Sequence, residues 1–130
     1  LVTFKYEDQG VATLEDGIWV LEDNLKDEVF VDKMTRFVRA SMKGWKYAEE
    51  NPEEAGAIII ENDETGAQSE EAQVRMMKEV AKLTAGSDGT LAEVDFQRTV
   101  DTLLAGGSDP VISKQPEGAW TSVITDAALN

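Results

Sequence analysis

Residues 27–55 read DEVFVDKMTRFVRASMKGWKYAEENPEEA, and the reading of this stretch decides the fold. Phe30, Met34, Phe37, Val38, Ser41, Met42, Trp45 and Ala48 recur at intervals of three and four. That spacing keeps them on one stripe of a helix with a 3.6-residue period, so a helix is predicted from about Asp27 to Glu50. Asp27 is its expected N-cap, and Asp32 stands four residues before Arg36, the helpful order for an ion pair. Asn51-Pro52 ends the helix, because the residue before a proline is driven out of the helical basin. Pro52 suits the first position of a new helix, and Glu54 is placed to close a capping box with Asn51. The chain thus turns a helical corner, and a second stripe, Ala55, Ile58 and Ile59, is expected to face the same core.

Outward from this corner the chain is ordinary in size and unusual in charge. Its 130 residues suit one domain, and 42% hydrophobic content is that of a folded protein. The net charge of −14 repels phosphate backbones and anionic lipid, so nucleic acid and membrane surfaces are poor partners. An acid-rich proteome, as in salt-adapted organisms, gives the same balance without any functional cause. No cysteine or histidine is present, which removes disulfides, zinc–thiolate sites and the commonest general base. No cofactor or metal is expected. No run approaches the roughly 18 apolar residues of a membrane span, and LVTFKYEDQG lacks the features of a signal peptide.

Before the corner, LVTFKY (1–6) alternates apolar and polar residues and reads as a strand. Ile18-Trp19-Val20-Leu21 reads as a second, buried one. Two short strands make no stable sheet, so they need partners from elsewhere, and a homodimer through their edges is one solution. After the corner, Ser69 is an N-cap for SEEAQVRMMKEVAKLTAG, whose Glu71 pairs with Arg75 and which Gly86 terminates. Thr90-Leu91-Ala92-Glu93 reads as a capping box for a fourth helix that Gly106-Gly107 ends. Pro116 is the expected start of a last helix, PEGAWTSVITDAAL. The predicted fold class is mainly α: two short N-terminal strands, then about five helices. Residues 1–26 form a hinge and strand segment, and 27–130 a helical part.

Little here carries chemistry. With 26 acids, chance pairs of carboxylates are the rule, and no pair marks an acid/base dyad. ENDETG lacks the alternating ligands and closing Glu of a calcium loop. Trp45, Trp120, Phe37, Phe96, Met76 and Met77 sit on helix stripes and are read as core. Trp19 alternates with Ile18, so one of the two points away from the core, where an indole could stack on a ligand. The best site candidate is Tyr6-Glu7-Asp8-Gln9-Gly10, an aromatic and three hydrogen-bonding side chains on a turn, with Gly10 free to take a positive φ.

FVRASMKGWKYAEENPEEAGAII resembles the long helix and Asn-Pro-Glu-Glu-Ala corner of the NMT1/THI5-like periplasmic solute-binding proteins, the taurine/sulfonate and thiamine-precursor type. YEDQGV resembles the segment that crosses between their two lobes, and LLAGGSDPVISKQPEGAWTSVITDAAL their C-terminal helices. The resemblance covers about residues 4–128. It implies the C-terminal portion of an α/β type II periplasmic-binding-protein fold, with the first lobe's strands, most of the second lobe and the targeting segment missing. It further implies a non-catalytic, periplasmic role: a small molecule bound with the other lobe present and handed to an ABC transporter permease. Tyr6, Glu7, Asp8, Gln9 and Gly10 would border the ligand cleft. Relatives that synthesise the thiamine pyrimidine use an active-site histidine, which this chain lacks. The other reading is a free-standing acidic helical interaction module, expected to be a compact monomer with both strands satisfied internally.

Overall fold

In the computed structural model, which describes residues 2–129, five helices follow one another: α1 (Glu28–Glu50), α2 (Pro52–Glu61), α3 (Glu70–Thr84), α4 (Glu93–Leu104) and α5 (Val123–Leu129). Short 3-10 helices at Glu7–Gln9 and Glu22–Lys26 precede them. The corner is where the sequence puts it. Asp27 accepts a hydrogen bond from the Val29 amide at 2.9 Å, satisfying one of the four free donors at the helix start. Arg36 and Asp32 pair at 3.0 Å. Asn51 acts differently from the expected capping box. Its side-chain amide donates to the Tyr47 carbonyl at 3.0 Å, so it closes the end of α1 and leaves α2 without a side-chain cap.

α2 and α3 form an antiparallel hairpin. Glu53 pairs with Lys78 at 2.7 Å, and Gly56 lies against Val74. A Cβ at Gly56 would stand 2.6 Å from Val74 Cγ2 and 3.2 Å from its backbone nitrogen, so glycine is what lets these backbones approach. The connecting loop is built on Asp63, whose carboxylate accepts from the Thr65 amide and hydroxyl (2.9 and 2.5 Å) and from the Gln68 amide (2.9 Å). These bonds favour the charged form, the Thr65 hydroxyl most of all, and hold Asp63 below the usual carboxylate pKa. Ser69 then caps α3 through the Ala72 amide at 3.3 Å.

α1 is the shared floor. Its second half carries the hairpin, with the Thr84 hydroxyl of α3 donating to Glu49. Its first half carries α5 and the Glu22–Lys26 turn. Arg39 donates to the carbonyls of Ala127 and Ala128 at 3.0 and 3.1 Å, filling acceptors that the end of α5 leaves open. α4 packs on no other helix among the described residues. Loops hold it: Phe96 meets Trp120 with ring centroids 6.1 Å apart, and Gln97 and Gln115 exchange hydrogen bonds at 2.9 and 3.3 Å.

Several expectations are corrected. No strand occurs among the described residues: 2–5 and 18–21 have no regular secondary structure, Tyr6 already takes helical dihedrals (φ -63, ψ -39) at the start of a turn, and Leu1, the first residue of the predicted strand, lies outside them. The alternation of Val2, Phe4 and Tyr6 had promised a ladder. A strand needs a neighbour for its N–H and C=O groups, and none of the described backbone supplies one. Val2 is accordingly 82% exposed and Trp19 84%. Thr90 does not cap α4. Its amide and hydroxyl go to Asp88 at 2.9 and 2.6 Å, and Ala92 stands at the N-cap without a side-chain bond. The last helix starts at Val123 and not at Pro116, because Gly118 takes φ 61 and diverts the chain. Glu71 and Arg75 form no ion pair. Phe37, Trp45 and Met76, read as core, are more than a third exposed.

The core is thin. Val38, Ala55, Val100 and Ala128 are its buried apolar residues, and no large side chain among the described residues is fully enclosed. The accessible surface is 10345 Å², whereas a compact monomer of this mass has about 6,800 Å². The apolar surface left in water lies mainly on residues 2–21 and on the outer faces of the helices.

Two measurements check this account. Gly56→Ala should lower stability by about 1–3 kcal/mol, because Val74 would have to be pushed off α2; a thermal melt reads it as a lower Tm. Asp63→Ala should lower the Tm near neutral pH. A carboxylate with a depressed folded-state pKa stabilises fully above its ordinary pKa of about 3.9 and loses that contribution as pH falls through the folded value. The gap between wild type and variant should therefore close in acid.

Candidate functional site

Tyr6 to Gly10, chosen from sequence as the site, folds as a tight turn. The Tyr6 carbonyl accepts from the amides of Gln9 and Val11, both at 3.0 Å, and the Gly10 amide donates to Glu7 O at 3.1 Å. Gly10 takes φ 78, a left-handed conformation that side-chain-bearing residues reach at a cost, so its glycine is required. The side chains of Tyr6, Glu7, Asp8 and Gln9 are all exposed and make no hydrogen bond within the described chain. A phenol, two carboxylates and a carboxamide therefore stand uncommitted on one five-residue turn. They are brought together by the local backbone alone.

Among the described residues, a hydrogen bond just past the turn ties this segment to the helices. The Leu14 amide donates to the Thr99 hydroxyl of α4 at 2.9 Å, while that hydroxyl donates in turn to the Asp95 carbonyl at 3.1 Å. Sequence reasoning had no route to this tether, because it joins residues 85 apart. Trp19, the other aromatic weighed as a stacking surface, projects into solvent beside Gly17.

Two grooves lie elsewhere. One, of about 460 Å³, runs between α1, α5 and the turn before α1, lined by Leu25, Glu28, Val31, Asp32, Thr35, Val123 and Ala127. It shares no residue with the Tyr6 turn. The Thr35 hydroxyl is shut off from solvent and has no hydrogen-bond partner among the described residues. The other is a shallow trough along α3 between Glu70 and Glu79. Among the described residues no three carboxylates converge as a metal site, and no helix is long and apolar enough to cross a membrane.

Residues 1–55 match the family model described as NMT1/THI5 like, a likeness over 55 of the 130 residues. No curated protein and no solved structure matches the chain. The matched stretch contains the Tyr6 turn, the irregular segments on either side of it, Trp19, the whole of α1 and the Asn51-Pro52 corner. The helices beyond Ala55, including the C-terminal residues read as family-like, fall outside it.

Thr99→Val keeps the shape of the side chain and removes the acceptor for Leu14. Hydrogen exchange at the Leu14 amide should accelerate while the helices, read by circular dichroism, stay as they are.

Proposed function

We propose that this chain is the non-catalytic solute-binding portion of an ABC-importer receptor. Its ligand would be a small molecule of the sulfonate, taurine, nitrate or thiamine-pyrimidine kind, and its setting extracytoplasmic. The observation that carries this reading is the NMT1/THI5-like match across residues 1–55, the stretch that holds the free side chains of Tyr6, Glu7, Asp8 and Gln9. In a two-lobed receptor the turn would contribute one wall of a cleft, and a second lobe would supply the other along with cover for the N-terminal segment. The exposed apolar side chains of Val2, Phe4 and Trp19 support the need for such a cover. They speak against a free-standing module, which should bury such side chains within itself. The acid-rich turn suits a ligand that presents hydrogen-bond donors, and it favours the aminopyrimidine class over bare anions such as nitrate.

A ligand gripped from one side loses most of the buried contact that makes small-molecule sites tight. Calorimetry with taurine, alkylsulfonates, nitrate and aminopyrimidines should therefore show no binding to this chain at micromolar concentration. At millimolar concentration, NMR shifts should appear at Tyr6–Gly10 with an aminopyrimidine. Micromolar affinity would overturn the two-lobe reading, and shifts confined to other residues would overturn the site.

A further inference from the structure

Between Lys33 and Ala48 the chain has five bases and no acid, in a protein with 26 acids and a net charge of −14. Ordinary structural causes account for only part of this run. The helix dipole favours bases in the last turn, yet α1 has none there and ends on Glu49 and Glu50. Arg36 has Asp32, and Arg39 serves the end of α5. Lys33 and Lys43 are exposed and pair with nothing among the described residues.

The spacing of three and four places Val29, Lys33, Arg36, Phe37, Lys43 and Gly44 together on the face turned away from the buried Thr35 and Val38. Phe37 remains 54% exposed in the middle of these cations. Gly44 is the second pointer. A Cβ there would meet nothing, so the chain's own packing does not ask for a glycine in mid-helix, where it is less stable than alanine. What the glycine leaves is bare backbone on the same face, open to close approach.

We propose that this face of α1 docks an acidic protein segment, a short helix whose carboxylates flank an apolar side chain seated over Phe37 and Gly44. Charge complementarity selects the occupant, and the arrangement of charge along the axis limits its size. Asp27, Glu28 and Asp32 stand at one end of the basic window and Glu50 and Glu54 follow the other, while Glu49 and Glu53 turn to Thr84 and Lys78 of α3. The window is about 20 Å long, the span of a few helical turns. A nucleic-acid backbone or an anionic bilayer extends past it and meets those acids. A second copy, set symmetrically on the same face, would oppose lysine to lysine. The inference is independent of the solute-binding reading.

The test uses the whole chain and a labelled helical peptide of about 15 residues with Glu at three- and four-residue spacing around Leu. Fluorescence anisotropy should show saturable binding that weakens at least about tenfold between about 50 and 500 mM salt. Lys33→Glu with Lys43→Glu should weaken it by at least about tenfold, and the milder pair of Gln substitutions should act in the same direction if the reversed charges disturb folding. Gly44→Ala should raise the Tm yet reduce affinity, a split that a purely structural role would not give. Failure of the peptide to bind, or binding unchanged in both lysine variants, overturns the proposal. So does stronger binding to vesicles of equal phosphatidylserine and phosphatidylcholine, or lysine-dependent dimerisation in sedimentation.

Discussion

Helix α1 must serve two sets of neighbours at once, and the placement of everything that packs follows from that. Its first half receives α5 and the Glu22–Lys26 turn, its second half the α2–α3 hairpin. A helix of 23 residues is about 35 Å long, enough to span a small domain, so elements at its two ends need not touch each other. Polar bonds fasten both sets of neighbours: Arg39, at mid-helix, on the α5 carbonyls, and Glu49, near the end, under Thr84. The apolar stripe is shared thinly, and Val38 is its one buried hydrophobic residue.

That division explains the shape of the remainder. The hairpin is self-sufficient in a way α4 is not, because Gly56 lets α2 and α3 reach backbone contact while Glu53 and Lys78 join them from the side. α4 depends on Trp120, Gln115 and the Leu14 amide, all contributed by segments without regular structure. The segment that follows the Tyr6–Gly10 turn is therefore anchored, through Leu14, to a helix that loop residues hold among the described ones.

Local rules read well wherever the relevant contacts are local. The α1 period, the Asp27 and Ser69 caps, the Asp32–Arg36 pair and the glycine at position 10 are all decided within one turn of chain. The corner was legible in place, though not in detail: Asn51 had two possible backbone partners, and the carbonyl of Tyr47 won. Thr90 likewise chose Asp88 two residues back over a helix start. The strands were misread for a different reason. Alternation reports what a segment would do given a neighbour, and says nothing of whether the neighbour is there. Of the site, the residues of the turn could be named from sequence but the Thr99 tether could not. The acid-free run from Lys33 to Ala48 is legible in the sequence, with Lys33 and Lys43 on the opposite side of the helix from the buried Val38.

The three indoles sit at three depths: Trp120 against Phe96, Trp45 on the flank of α1, and Trp19 in open water. Emission from an indole moves to shorter wavelength as its surroundings dry, so the bare indole of Trp19 is an optical gauge of the N-terminal segment. Any change in how far that segment is covered would be read in the colour of Trp19, the most exposed of the three.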